Sequence, residues 1–278
     1  MYNINNRESL EIVIKSLVFT IIGILLFSFF LSLIRNLGIN ILNDSTFVNV
    51  LLEVVILTIQ IFIIRKHNSR NVLEAIDLDY KKGSINKMLC GLGIGMVEMI
   101  FVYCTSFFMK IISYEGNGFE FYSFSSVIIL VIALLIRAVF AGVCEEVFFR
   151  GVLQKYLSEF KGNILGIIIS SIIFMVFHCT RYQTMYQLTS VLTAGIVLGY
   201  IYIFTKSLYM SIGLHIATDF FINLVSLKGE VGLFIVNINE SFNEEYFTRN
   251  VFIEITIFYI VVFIIMFVIK HNKLKINS

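Results

Sequence analysis

Long apolar stretches alternate with short polar segments along almost the whole chain. A helix that spans a bilayer needs about 20 mostly apolar residues, and several stretches meet or approach that length. They cover residues 17–34, 48–64, 88–112, 124–155, 166–179, 188–204, 208–225 and 251–269. The pattern predicts an all-α, polytopic membrane protein with about eight transmembrane helices in a single bundle.

Composition agrees with this pattern and narrows the choice of function. Of the 278 residues, 58% are hydrophobic and 14% are charged, whereas a soluble globular chain is about 45–50% apolar. The net charge of +2 is too small to suggest a nucleic-acid partner. The cysteines lie in apolar stretches without C-x-x-C spacing, which indicates buried small hydrophobes and no disulfide or zinc-finger framework. They are Cys90, Cys104, Cys144 and Cys179.

The basic residues predict how the chain is oriented. Most of the 21 Lys and Arg residues fall in segments that an even number of spans places on the side of both termini. Cytoplasmic loops are enriched in Lys and Arg, so we expect a multi-pass protein of the cell membrane with both termini cytoplasmic. The first stretch lacks a small-x-small cleavage site and is predicted to be a retained anchor. The external segments carry several acids, which would suit a cationic peptide.

Two adjacent carboxylates and a guanidinium interrupt the fourth stretch, at Glu145, Glu146 and Arg150. A charge at bilayer depth costs at least ~2.5–3.5 kcal/mol, so these groups need partners or a purpose. Side chains four apart share a helix face, and therefore Glu146 and Arg150 can pair. Adjacent side chains point about 100° apart, which leaves Glu145 as an unpaired carboxylate suited to general acid–base chemistry.

Two of the four histidines also lie in apolar stretches. His178 ends the segment Phe174-Met-Val-Phe-His178, so Phe174 and His178 share a face of the fifth helix. His215 begins His215-Ile-Ala-Thr-Asp219, which places an imidazole and a carboxylate on one face of the seventh helix. Together with Glu145, these side chains form a set that has the chemistry to activate water.

Two versions of that chemistry remain open. In one, His178, His215 and a carboxylate hold a zinc ion with an open position, and the metal lowers the pKa of its bound water to about 7. In the other, Glu145 and His178 activate water directly, while His215 with Asp219 stabilises the developing oxyanion. Both versions require the candidate residues to lie at a similar depth in the membrane. If the fourth helix ends near residue 155, Glu145 lies roughly 15 Å from that end, whereas His178 lies roughly 25 Å from the basic residue at 161.

Each of these features also has a purely structural explanation. A pairing of Glu146 with Arg150 would neutralise two buried charges, and a lone intramembrane histidine is commonly a hydrogen-bonded contact between helices. Glu53, Glu98 and Arg137 lie in predicted spans as well. Pairing of these three side chains among themselves is a simpler explanation for them than a catalytic role.

The three motifs resemble those of the CPBP family of intramembrane proteases. They are Glu145-Glu146-x-x-x-Arg150, Phe174-x-x-x-His178 and His215-x-x-x-Asp219, in this order along the chain. That family includes type II CAAX prenyl endopeptidases and bacterial Abi-type proteins linked to bacteriocin processing and self-immunity. The resemblance implies an eight-helix bundle that hydrolyses a peptide bond within or beside the membrane.

The resemblance also implies a role for each matching residue. Glu145 and His178 would activate the water, His215 and Asp219 would stabilise the transition state, and Glu146, Arg150 and Phe174 would support the site. Family members have been described both as metalloproteases, in which case His178 and His215 would be zinc ligands, and as metal-independent glutamate proteases. The last motif ends in Asn in the eukaryotic prenyl proteases and in Asp here, a variation that bacterial members admit, and this departure argues against prenylated substrates. The small size and the AT-rich composition suggest a bacterial member.

On this basis we divide the chain into three parts. Residues 1–123 hold the first three helices and a basic cytoplasmic loop, residues 124–227 form a catalytic CPBP-like core of helices four to seven, and residues 228–278 add an acidic external loop and the last helix. The expected partners are membrane lipid and a small peptide or precursor peptide, such as a leader peptide, pheromone or bacteriocin precursor. The alternatives are a non-catalytic bacteriocin immunity protein, a transporter, and a cysteine protease that uses Cys144 or Cys179.

Overall fold

Helices account for most of the chain in the computed structural model, which describes residues 6–37, 45–67 and 71–276. The helices are α1 (Asn6–Asn36), α2 (Ser45–His67), α3 (Val72–Ala75), α4 (Ser84–Phe108), α5 (Gly118–Phe121), α6 (Phe124–Glu146), α7 (Lys155–Lys161), α8 (Asn163–His178), α9 (Met185–Thr205), α10 (Tyr209–Ile222) and α11 (Glu244–Ile276). A π-helical segment, Val147–Gln154, joins α6 to α7 without a break. The predicted all-α class is confirmed.

Six helices of the described ranges are long and apolar enough to cross a membrane. They are Asn6–Asn36, Thr46–His67, Ser84–Phe108, Phe124–Lys161, Met185–Thr205 and Glu244–Asn272. The chain is therefore a multi-pass membrane protein. The other two predicted spans correspond to α8 and α10, which have 16 and 14 residues. At 1.5 Å per residue both are shorter than a bilayer core of about 30 Å, so the predicted number of eight is not confirmed.

The ends of three predicted spans were wrong. The seventh was predicted to reach Val225, but α10 ends at Ile222 and Val225 begins a strand. The fourth helix does not end near Lys155 but continues through the π-helical segment to Lys161. The helix therefore passes from its apolar part into a more polar part without a break. The third stretch was predicted to reach Ile112, yet α4 ends at Phe108. Lys110 has a φ of 56°, and this left-handed conformation turns the chain out of the helix and into a strand.

A small sheet covers one end of the helices. Its strands are β1 (Ile112–Asn117), β2 (Val225–Leu227) and β3 (Phe234–Ile238). Their order in the sheet is β1-β3-β2, with β3 antiparallel to β1 and parallel to β2. The sheet joins the connection between α4 and α6 to the connection between α10 and α11. Hydropathy predicts these two connections only as external segments, and the sheet shows that they are hydrogen-bonded to each other.

The short helix α10 lies at the centre of the bundle, and glycines set its position. Its residues from Met210 to Ala217 are all buried. A Cβ atom on Gly91 of α4 would lie 2.1 Å from the carbonyl oxygen of Met210, and one on Gly95 would lie 2.6 Å from the Cβ of Ala217. Since such contacts are too short for real atoms, α4 can approach α10 this closely only with glycine at those positions. This packing fixes the helix that carries His215.

Candidate active site

A helical hairpin brings the first two motifs together. The helix from α6 to α7 ends at Lys161. Gly162 follows with a φ of 90°, which glycine readily adopts, and α8 begins at Asn163. The two arms approach closely, because a Cβ on Gly166 would lie 2.1 Å from Ser158 Oγ. Glu145 lies 17 residues before the turn and His178 16 residues after it. The expected mismatch in depth therefore disappears, since it depended on a helix that ended near residue 155.

Glu145 lies between two imidazoles at the level where these helices meet α10. Its Oε2 atom is 3.7 Å from Nε2 of His178 and 3.8 Å from Nε2 of His215. Both distances exceed that of a direct hydrogen bond, so a hydrogen-bonded link between these atoms requires a water molecule. Oε2 is buried and has no hydrogen-bond partner in the described part of the chain. The side chains of Glu145 and His178 are 17% and 18% exposed, so a water molecule can reach them.

The opposite ring nitrogen of each histidine is held by a protein group. Nδ1 of His178 lies 2.8 Å from the carbonyl oxygen of Phe174, which can only accept a hydrogen bond. The His178 ring also packs between Phe174, at 4.4 Å between centroids, and Tyr182, at 6.0 Å. Nδ1 of His215 lies 2.9 Å from Oε1 of Glu146. Both rings are thus oriented so that Nε2 points towards Glu145.

Glu146 and Arg150 form the buried ion pair that the spacing predicts. Nη1 of Arg150 donates to Oε1 of Glu146 at 2.7 Å, and both side chains are essentially inaccessible to solvent. Arg150 also donates to the carbonyl oxygen of Gly195 at 3.3 Å. Its guanidinium lies 4.5 Å from the centroid of the Phe174 ring. Because the same carboxylate oxygen contacts His215, the pair both neutralises itself and orients an imidazole of the site.

Asp219 lies at the edge of the site. Its Oδ2 atom is 3.9 Å from Nε2 of His215, and its side chain is 37% exposed. The structure therefore brings together all four residues that the sequence suggested as catalytic, with Glu146, Arg150 and Phe174 directly behind them. Their catalytic role stays a prediction.

A cavity of about 390 Å³ opens onto this set, and we call it the active-site cavity. Its charged and polar lining includes Glu53, Arg137, Glu145, His178, Arg181, Tyr182, His215 and Asp219. Burial raises the pKa of the Tyr182 phenol, so this side chain stays a neutral hydrogen-bonding group. Cys144 and Cys179 are not among the lining residues, which argues against either as the nucleophile.

Glu53 and Arg137 are lining residues whose place in the cavity the sequence did not reveal. Their only signal was a charge within an apolar stretch, and such charges mark functional sites by default. The predicted pairing among Glu53, Glu98 and Arg137 is not found, because no ion pair within the described ranges joins any two of them. Glu98 instead accepts a hydrogen bond of 2.6 Å from Thr218 Oγ1.

Zinc binding at this site stays a prediction. Within residues 6–37, 45–67 and 71–276, no group of three His, Cys, Asp or Glu side chains is placed so that it could hold one. If zinc bound here, His178 and His215 would be its ligands through Nε2, and Glu146 would orient His215 from behind, as carboxylates do at zinc sites.

Comparison with known proteins supports one family. Residues 127–221 match the family model described as Rce1-like, type II CAAX prenyl endopeptidase Rce1-like. The matched segment runs from α6 into α10 and contains Glu145, His178, His215 and Asp219. No curated protein and no solved structure matches the chain.

Proposed function

We propose, on the premise that the chain belongs to the Rce1-like family of type II CAAX prenyl endopeptidases, that its active-site cavity hydrolyses a peptide bond of a small membrane-associated peptide. The match over residues 127–221 supports a CAAX-type intramembrane protease. The observation that carries the proposed mechanism is the position of Glu145. A buried carboxylate oxygen without a hydrogen bond of its own lies within 4 Å of two oriented imidazole nitrogens.

In the first step a water molecule between Glu145 and His178 is activated. Glu145 takes a proton from the water, while the lone pair on His178 Nε2 accepts its second hydrogen in a hydrogen bond. That lone pair is free because Nδ1 donates to the carbonyl of Phe174. The oxygen of the water then attacks the carbonyl carbon of the peptide bond, and the π electrons of the carbonyl move onto its oxygen.

The resulting oxyanion needs a hydrogen-bond donor, and His215 supplies it. In its imidazolium form His215 donates through Nδ1 to Glu146 and through Nε2 to the oxyanion. Asp219, 3.9 Å from Nε2, compensates the charge of that imidazolium. When the tetrahedral intermediate collapses, the C–N bond breaks and Glu145 returns its proton to the leaving amine. The products are a carboxylic acid and an amine, and the site is restored.

The substrate, in this proposal, is a small peptide or precursor that reaches the cavity from the outer side. The cavity is lined by Asn49 near the start of α2 and by Arg181 after α8. Both lie in segments that the distribution of basic residues assigns to the outside. This location favours the maturation or inactivation of a secreted peptide, such as a leader peptide or bacteriocin precursor, and is compatible with self-immunity.

The decisive experiment compares variants in a cleavage assay. Purified full-length protein in lipid vesicles is incubated with synthetic membrane-associated peptides, and the products are identified by mass spectrometry. We expect Glu145→Gln and His178→Ala to lower cleavage by about 10²–10⁴-fold, because each removes a group that contacts the water. Glu254→Gln, which changes a buried acid of α11 that does not line the cavity, is the matched control. Equal cleavage by wild type, Glu145→Gln and His178→Ala would refute the proposal.

A further inference from the structure

Glu53 is the acid that α2 contributes to the active-site cavity. It belongs to a face of α2 on which Asn49, Glu53 and Ile56 all line the cavity. Glu145 of α6 and Asp219 of α10 line the same cavity as Glu53. Carboxylates from three helices thus line the cavity in which the proposed reaction would take place.

Glu53 has no partner of its own in the part of the chain that the structure describes. Its Oε2 atom is inaccessible to solvent and accepts no hydrogen bond from those residues. Other acids of the spans are satisfied at least in part, since Glu98 accepts from Thr218 and Glu254 accepts from Asn250. Arg137 lines the same cavity, yet no ion pair of 4.0 Å or less joins it to Glu53.

The position of the Glu53 carboxylate indicates which kind of group could pair with it. An unpaired charge in a membrane span costs at least ~2.5–3.5 kcal/mol. A cation that enters a cavity of low dielectric is attracted to such a group more strongly than it would be in water. Glu53 lines the cavity in which the activated water would attack the bond, so a cation that arrives with the substrate can approach its carboxylate.

We infer that Glu53 determines specificity by receiving the ammonium or guanidinium group of a Lys or Arg side chain next to the cleaved bond. The inference rests on the proposed function, because the cleaved bond has to lie beside Glu145. It narrows the substrates from small membrane-associated peptides to those with a basic residue at the cleavage site.

The first test measures cleavage specificity. Synthetic peptides with an apolar anchor and randomised residues beyond it are incubated with the full-length protein in vesicles, and the cleaved bonds are identified by mass spectrometry. We expect the wild type to enrich Lys and Arg at one position next to the cleaved bond by about tenfold, which corresponds to 1.4 kcal/mol. Glu53→Gln should still cleave but lose this enrichment, and Glu53→Lys should favour Asp and Glu. Absence of the enrichment in the wild type, or its persistence in Glu53→Gln, would overturn the inference.

The second test measures binding without hydrolysis and separates this inference from the proposed function. Three peptides of one scaffold carry Lys, norleucine or Glu at the randomised position, and their Kd is measured on Glu145→Ala protein. We expect the Lys peptide to bind about tenfold more tightly than the norleucine peptide, and this preference to vanish when Glu53→Gln is added but not when Glu254→Gln is added. Binding preference without any cleavage by the wild type would sustain the subsite and refute hydrolysis. Cleavage without the preference would sustain hydrolysis and refute the subsite.

Discussion

The contact between α4 and α10 permits a sharp test of how the bundle positions its site. In Gly91→Ala the new methyl carbon would lie 2.1 Å from the carbonyl oxygen of Met210 and 2.8 Å from the amide nitrogen of Leu214. Both are backbone atoms that cannot rotate away. Restoring a normal C···O distance of about 3.3 Å requires the two helices to separate by roughly 1 Å. Such overpacking costs typically about 1–3 kcal/mol.

Gly93→Ala is the matched control, two residues further along the same helix. A Cβ atom there meets nothing within 4 Å. Replacing a helical glycine by alanine stabilises by roughly 0.5–1 kcal/mol in either position, so the difference between the two variants isolates the clash. We expect Gly91→Ala to have a free energy of unfolding about 1–3 kcal/mol lower than Gly93→Ala, measured by denaturant titration in detergent micelles.

The same pair of variants should differ in activity. A separation of α4 from α10 displaces His215, and a 1 Å misplacement of a catalytic group can lower the rate by about 10²-fold. Peptide cleavage should fall by about that factor in Gly91→Ala and stay at the wild-type level in Gly93→Ala. If the two variants unfold at the same denaturant concentration and cleave equally, then α10 is not held in the way described.

Three further predictions concern the ion pair, the cysteines and metal. Arg150→Met leaves Glu146 buried without its cation and should lower the free energy of unfolding by about 3–5 kcal/mol. Adding Glu146→Gln should recover part of this loss. A double variant no more stable than Arg150→Met would contradict the pairing. Cys144→Ala and Cys179→Ala should each retain full cleavage, since neither lines the active-site cavity; complete loss in either would restore the cysteine-protease alternative. Treatment with a strong chelator should leave cleavage unchanged, and a loss that zinc alone restores would show that the metal-dependent version of the chemistry is correct.

Much of the site was predictable from local spacing. Residues four apart on a helix share a face, so the contact of Glu146 with Arg150 and the position of Asp219 beside His215 followed from sequence alone. The order of the three motifs suggested that Glu145 would meet His178 and His215. Their convergence in the structure agrees with that expectation. Spacing did not show that Glu146 also holds His215, because that contact joins two helices far apart in the chain.

Features that depend on the packing of distant helices were not predictable. Hydropathy reports where a chain leaves the lipid and does not report where a helix ends, and for this reason the continuation to Lys161 was missed. The sheet was not predicted because its strands have three to six residues and come from loops that are far apart in sequence. Glu53 was recognised as an intramembrane charge, but only the packing of α2 against α6 shows that it shares a cavity with Glu145.

The hairpin that turns at Gly162 restricts how this chain can change during evolution. One residue inserted between the turn and either Glu145 or His178 would rotate the side chain beyond it by about 100° and shift it by about 1.5 Å. The carboxylate and the imidazole would then no longer meet. An insertion in the connection between α8 and α9 leaves both arms of the hairpin intact. The interval between the first two motifs is therefore expected to have a constant length in relatives, whereas the loop that follows His178 is free to grow or shrink.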